Sequence, residues 1–522
     1  MNERAQGRRL AWSTAIFSAA TGLSRILGLV REIVARRYFG VEGAGINSFT
    51  VAFQIPNLVR ALVADAALSS AFVPVFSELL EKGERARAWR VASSVLWLLL
   101  LGLTALTAAF IVAAPFVMSL FGYGDELSVN LARILFPIVT LLGVSGIFVG
   151  ILNSYDHFTV PALTPVAWNV AIIVGLVLGV PQAETDDGKL YVYAVSILIG
   201  TVIQVLLPLP WLRGRDGRLR LAIDWRDPGV RRVFVLMGPV MLGLGLINFN
   251  AVLGTLFASR LIDKDLAPAA IDAAFRIYML PQGMFSVAVA TVLFPTLARL
   301  AARNDIAGFR DTISRGLRQI AFLLVPASVI CAVLAQPIVR LLYQRGEFGP
   351  SETHVVAAAL AAFSLGLTFN GMMLMLNRGF FSLQEPWTPS VVAFVNLALN
   401  AVLYAAFYRL GAWGIPFAIS IANIAGVALL LFALRRRIGR IDLTATIRSF
   451  VRVTIASTVL GAVAFGAWYV LDDALGRSFA AQLVSLGSAL VVGGIAYVIA
   501  CKALGVREIA ALLSLRDRFR RA

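Results

Sequence analysis

The sequence predicts an all-α polytopic membrane protein with 14 transmembrane helices. Two six-helix lobes form a parallel repeat, two C-terminal helices follow, and both termini are cytoplasmic. Three observations predict this. The 522 residues are 59% hydrophobic and only 14% charged, against roughly 25% charged in soluble domains. The basic residues alternate in side along the chain. The chain also resembles itself at a nearly constant shift.

The bilayer is the ruler for such a chain, since each span needs about 20 apolar residues. Apolar runs and their breakers give spans near 10–38, 46–66, 90–120, 129–152, 162–181, 190–212 and 231–258. They continue near 270–298, 318–343, 353–381, 387–408, 412–434, 448–471 and 479–502. The opening apolar run continues past Arg25 and many spans follow, so it reads as a retained helix rather than a cleaved signal peptide.

Orientation follows from the basic residues. One parity of termini and loops holds Arg4, Arg8 and Arg9, KGERARAWR, RGRDGRLRLAIDWRDPGVRR, RRRIGR and the tail RDRFRR. In all it holds 32 of the 46 Lys and Arg. The other parity is acidic or neutral, as in GYGDE, AETDDGK and GEFGPSE. Basic loops stay on the cytoplasmic side. The net charge of +17 is therefore mostly topology and calls for no nucleic-acid partner.

The repeat is visible in four markers. Asn153 and Asn377 each precede a Thr-Pro pair by the same spacing, at a shift of 224. INSFTVAFQIPNLV resembles IDAAFRIYMLPQGM at 225, and APFVMSLFGYG resembles QPIVRLLYQRG at 222. AFVP at 71–74 echoes VLFP at 292–295, with four fewer residues between. The expected divisions are 1–225 (helices 1–6), 226–440 (helices 7–12) and 441–522 (helices 13–14 and a basic tail). An even number of spans per copy makes the repeat parallel, and transporters of that kind bind substrate between their halves.

Charge inside a membrane helix is costly and points to a wet cavity or a partner. Arg25 and Arg31 on helix 1, Arg60 on helix 2 and Arg276 on helix 8 are the candidate substrate-binding residues. An arginine fork grips phosphate or carboxylate and stays charged in low dielectric. With few acids in the spans, the cavity is expected to be net positive and its substrate an anion. Structural readings stand beside this one: Arg60 pairing with Asp65 or Glu32, and Arg276 with Asp272. Arg36 and Arg37, at the helix end, are expected to snorkel to the interface. Gly28, Pro56 with Asn57, and Pro281 are placed where moving helices break. Asn248, Asn250, Asn396 and Asn400 form a candidate site for a coupling ion, Na+ or H+, or else hydrogen-bond between helices. The two cysteines and two histidines have no metal-ligand spacing. No cofactor is expected. Carboxylates are not clustered as metal-dependent enzymes of polyprenyl phosphates require, so such an enzyme is the weaker alternative.

The stretches SRILGLVREIVARRYFG, NSFTVAFQIPNLVRALVADAALSSAFVPVFSE, RIYMLPQGMFSVAVATVLFPTLARL and LNRGFFSLQEPWTP resemble the MurJ/MviN family of lipid II flippases. That family lies in the multidrug/oligosaccharidyl-lipid/polysaccharide exporter superfamily. The resemblance covers essentially the whole chain. It implies flipping of undecaprenyl-pyrophosphate-linked disaccharide-pentapeptide by alternating access, in a monomer of the bacterial plasma membrane. Membrane lipids and the cell-wall synthesis machinery are the implied partners. An exporter of another polyprenyl-pyrophosphate-linked glycan would need the same cavity and is the main alternative. The resemblance also implies that Arg25, Arg31, Arg60 and Arg276 line the cavity. Glu32 and Asp65 match acidic positions. Asn47 stands where the family usually has Asp, and Ala66 where it has Gly.

Overall fold

The computed structural model describes residues 3–62, 71–439 and 443–509. Among them the chain is helical and contains no strand. Contacts divide it into two compact units, Met1–Pro268 and Ala269–Ala522.

In the first unit, α1 runs unbroken over Glu3–Phe39, α2 over Ala44–Arg60 and α3 over Val73–Glu81. α4 is Arg85–Leu120. α5 (Glu126–Leu135) and α6 (Pro137–Ser154) are separated only by Phe136, ahead of the proline that opens α6. α7 (Thr159–Gly179), α8 (Asp186–Leu206) and a short α9 (Leu209–Leu212) follow. α10 is Pro228–Phe257, and it packs on α2, α3 and α4 of the same unit. α1 packs on α7, α7 on α8 and α4 on α6. The core between α3, α4 and α6 holds Phe72, Phe76, Trp89, Leu99, Phe148 and Ile151.

α11 (Ala267–Pro281) crosses the boundary, followed by α12 (Val287–Ala302), α13 (Ile306–Val333) and α14 (Ala335–Tyr343). α15 is Pro350–Ser382, α16 Trp387–Phe407 and α17 Gly414–Ile438. α18 (Leu443–Leu475) and α19 (Phe479–Ala503) pack on each other. α15 is the hub of the second unit and touches α13 and α17 along its length. A Cβ on Gly366 would lie 2.6 Å from the Ser420 Cα. Only glycine lets α15 and α17 approach so closely, a small-residue contact usual between membrane helices.

Ten helical stretches among the described residues are long and apolar enough to cross a membrane. One of them, Trp387–Ile438, holds two helices that are each of membrane-spanning length, of 21 and 25 residues. The chain turns at 408–413, where Gly411 has φ 78°, and α16 then packs on α17. Outward-facing apolar residues such as Val112, Phe116 and Val292 are largely exposed. Helices apolar on all sides are what a bilayer-embedded bundle requires.

Helix ends follow local chemistry. Asp125, Thr185, Asp227, Asp305 and Ser478 each accept a backbone N–H of the first turn, satisfying an otherwise orphaned donor. The apolar run at 318–343 does not form one helix. It breaks at Leu334 (φ −101°, ψ 23°), so that α14 turns its apolar face onto α15 and α19. The backbone widens to π-helix at residues 61–62, just past the end of α2, and at Gln282–Ser286, immediately after Pro281. Such widened turns are frequent at functional sites.

Candidate functional site

On α1, Arg25 is exposed and, among the described residues, carries no hydrogen bond or ion pair. Arg31, not two turns further on, is only 8% exposed. Its guanidinium stacks over the Trp168 ring, 4.8 Å from the centroid, and lies 3.7 Å from Glu32. Its Nε is buried without a partner.

Arg36 corrects the expectation from its position near a helix end. It does not reach the interface but is 4% exposed. Its Nε donates to Glu32 Oε1 at 3.0 Å, its Nη2 lies 2.8 Å from the same oxygen, and its Nη1 donates to the Gly40 carbonyl at 3.3 Å. Glu32 is therefore a buried carboxylate shared by two guanidiniums, which leaves the trio at net +1. Arg37 is exposed, as its position suggested.

Trp168 and Asn169, which carry no charge to mark them in the sequence, both shape this site. Trp168 Nε1 donates to Thr201 Oγ1 at 3.1 Å, which fixes the indole against α8. Asn169 Nδ2 donates to the Pro165 carbonyl at 2.9 Å and to the Ser24 carbonyl at 3.4 Å. This ties α7 to α1 beside Arg25, while the Asn169 Oδ1 is buried and unpartnered. The available signal was a Trp-Asn pair inside an otherwise apolar run. Gly28 faces the same place, and a Cβ there would meet only Asn169 Oδ1, at 3.9 Å.

On α2, Pro56 is buried. Arg60 is half-buried and its Nε donates to Asn57 Oδ1 at 3.0 Å. Asp65 lies outside the described residues. In the second unit, Arg276 lies 3.1 Å from Asp272 Oδ1 and its Nε donates to Oδ2 at 3.4 Å. Beyond Pro281, Gln282 Nε2 donates to Asn370 Oδ1 at 3.5 Å, and Asn370 Nδ2 donates to the Tyr278 hydroxyl at 2.8 Å. Asn396 and Asn400 are buried one turn apart on α16, each with an unpartnered Oδ1. Asn248 and Asn250 belong to α10 of the first unit and are half-buried. Among the described residues no cluster of His, Cys, Asp or Glu could hold a metal ion.

A sequence profile of the lipid II flippase MurJ family matches residues 35–501. The chain belongs to the lipid II flippase MurJ family. Similar MurJ proteins include the probable lipid II flippase of Vibrio cholerae, 31% identical over 97% of this chain and 98% of its own. The lipid II flippase MurJ of Burkholderia cenocepacia is 30% identical over 85% and 87%. A solved structure of lipid II flippase MurJ in an inward closed conformation superimposes with a TM-score of 0.77, at 26% identity, covering 94% of this chain and 99% of that one. A multidrug resistance MATE transporter of the MOP superfamily has the same fold at 17% identity and a TM-score of 0.69, over 82% and 99%. With the MurJ family come a multi-pass bacterial membrane location and a transporter's role rather than an enzyme's.

Asn47 has a definite setting in this fold. Its side chain is fully buried. Its Nδ2 reaches the carbonyls of Val41 at 2.8 Å, Gly43 at 2.9 Å and Asp265 at 2.6 Å. The Gly43 N–H also donates to the Asp265 carbonyl, at 2.7 Å. The amide thus pins the α1–α2 turn to the segment after α10. A carboxylate would put oxygen against those oxygens.

Proposed function

We propose that this protein flips lipid II, an undecaprenyl pyrophosphate carrying a disaccharide-pentapeptide, from the cytoplasmic to the outer leaflet for cell-wall synthesis. The observation that carries the reading is the likeness, over nearly the whole chain, to proteins named lipid II flippase. In this reading the chain crosses the membrane 14 times with both termini cytoplasmic. Residues 1–225 and 226–440 are two six-helix halves, and 441–522 supply two further helices and a basic tail.

The mechanism needs no bond-making. A cationic cavity takes the pyrophosphate, and alternating access carries it across while the polyprenyl tail stays in lipid. Arg25, Arg31, Arg60 and Arg276 are the proposed ligands. Their states differ. Arg25 is open, whereas Arg60 and Arg276 are held by Asn57 and Asp272. Arg31 is stacked on Trp168 and offers little surface, so it meets substrate only after that stack opens. Glu32, Asn57 and Asp65 support the arginines, and Gly28, Pro56 and Pro281 permit the helix movement. A coupling cation, Na+ or H+, would use the free oxygens of Asn396 and Asn400, with Asn248 and Asn250. The protein acts as a monomer alongside the cell-wall synthesis machinery.

Complementation of bacteria depleted of their own lipid II flippase tests this. The wild-type chain is expected to restore growth, and Arg25→Ala, Arg60→Ala and Arg276→Ala to fail at equal membrane abundance. Failure of the wild type removes the substrate assignment. Full rescue by all three variants removes the arginine site.

A further inference from the structure

Residues 213–227, which join α9 to α10, have a role that lipid II transport leaves unexplained. They are not a free loop. Trp97 Nε1 donates to the Arg220 carbonyl at 2.9 Å. The Arg220 N–H donates to Ser93 Oγ and the Asp224 N–H to Ser94 Oγ, both at 3.1 Å. Arg85 reaches Asp216 at 3.3 Å, and Arg87 reaches Asp227 at 3.4 Å. Gly217 lies against the Trp89 ring, where any Cβ would collide, and Leu219 packs on the core of the unit. The segment is a strap stitched along the N-terminal half of α4.

That stitching uses up one face of the strap. The other face presents Leu221, 81% exposed, Ile223, 48% exposed, and Trp225, 65% exposed. The Arg226 guanidinium stacks on the Trp225 ring at 5.2 Å, and Arg213, Arg218 and Arg220 are exposed beside them. Over residues 213–232, seven arginines against three aspartates leave a net charge of +4. Because the backbone is fixed, the apolar side chains cannot turn inward to escape water.

We propose that this strap is a docking surface for anionic lipid, with Leu221, Ile223 and Trp225 inserted at the bilayer interface and the surrounding arginines on the headgroups. Two observations select a lipid surface over a protein. The strap leaves one membrane-capable stretch at Leu212 and enters α10 at Pro228, so both its ends are held at the edge of a helical bundle. Its composition, aromatic and branched apolar tips ringed by arginine, is that of an interfacial anchor, and basic clusters at that depth attract anionic headgroups. The inference does not depend on what the protein transports.

The test uses the full chain reconstituted in two kinds of vesicle, one containing phosphatidylglycerol and one of phosphatidylcholine alone. Nitroxides are attached to single cysteines at positions 216, 221, 223 and 225, with Cys331 and Cys501 replaced by Ala. Power saturation with oxygen and with a water-soluble nickel chelate reports depth. Positions 221, 223 and 225 are expected to be reached by oxygen and protected from nickel, more strongly with phosphatidylglycerol, while position 216 stays in water. The triple variant R218Q/R220Q/R226Q is expected to retain at least threefold less phosphatidylglycerol through purification, with an unchanged Tm. Water-exposed labels at all four positions overturn the proposal. So does equal depth in the two vesicles with unchanged lipid retention. Labels that are wet in vesicles and buried only on adding a cytosolic protein fraction assign the strap to a protein partner instead.

Discussion

At the scale of residues, the deep charges of α1 are sorted by their surroundings rather than by sequence depth. Arg25, the most central, is open, whereas Arg31 and Arg36 share Glu32 in the interior. Removing one member of a buried ion cluster costs about 3–5 kcal/mol, because the remaining charges stay desolvated. Glu32→Gln is therefore expected to lower stability by that order, read as a drop in Tm of the detergent-solubilised protein. An equal Tm would show that Glu32 does not hold the two guanidiniums. Asn47 gives a second case. Each buried polar group left unsatisfied costs about 1–3 kcal/mol. Asn47→Asp is thus expected to destabilise at neutral pH, and less so in acid, where a protonated carboxyl can donate again. The sequence flags Arg31, Glu32 and Asn47. It cannot show that Trp168 lies over Arg31 or that the Asp265 carbonyl meets Asn47, because those partners are 137 and 218 positions away.

At the scale of elements, apolar runs locate nearly all the helices, since a bilayer demands long uninterrupted stretches. What the runs miss are internal breaks, at Leu334 and in the π-helical turns, which depend on what each turn packs against. The turn between α6 and α7 carries a testable group. His157 is held below the usual histidine range by burial and by the nearby Arg215 charge, and its Nε2 is buried without a partner. Its neutral form is favoured in the fold, so the unfolded chain binds the proton first as pH falls. Its contribution is complete above the ordinary histidine pKa, about 6.5, and is lost as pH drops toward the lowered value. His157→Gln is expected to flatten the fall in Tm between pH 7 and pH 5; an unchanged slope would place the acid sensitivity elsewhere.

At the scale of the whole molecule, the two C-terminal helices are part of the second unit's packing. α18 lies against α13, the Tyr497 hydroxyl donates to the Phe322 carbonyl at 2.7 Å, and the Arg340 fork grips Asp472. Ending the chain after Gly439, just past α17, would bare the α13 face. The truncated protein is expected to accumulate poorly and to unfold at a lower temperature, even with α1–α17 intact; unchanged abundance and Tm would make α18 and α19 dispensable for folding. By itself, the sequence determined the membrane class, the run of helices, the inventory of intramembrane charges and the family. These are properties of composition, periodicity and local motif, which survive without knowing what touches what. Tertiary structure alone decided that Arg36 is buried while Arg25 is open, that Trp168 shields Arg31, and that residues 213–227 form a strap with an outward apolar face. Burial and pairing depend on segments far apart in the chain, and only folding brings them within hydrogen-bonding reach.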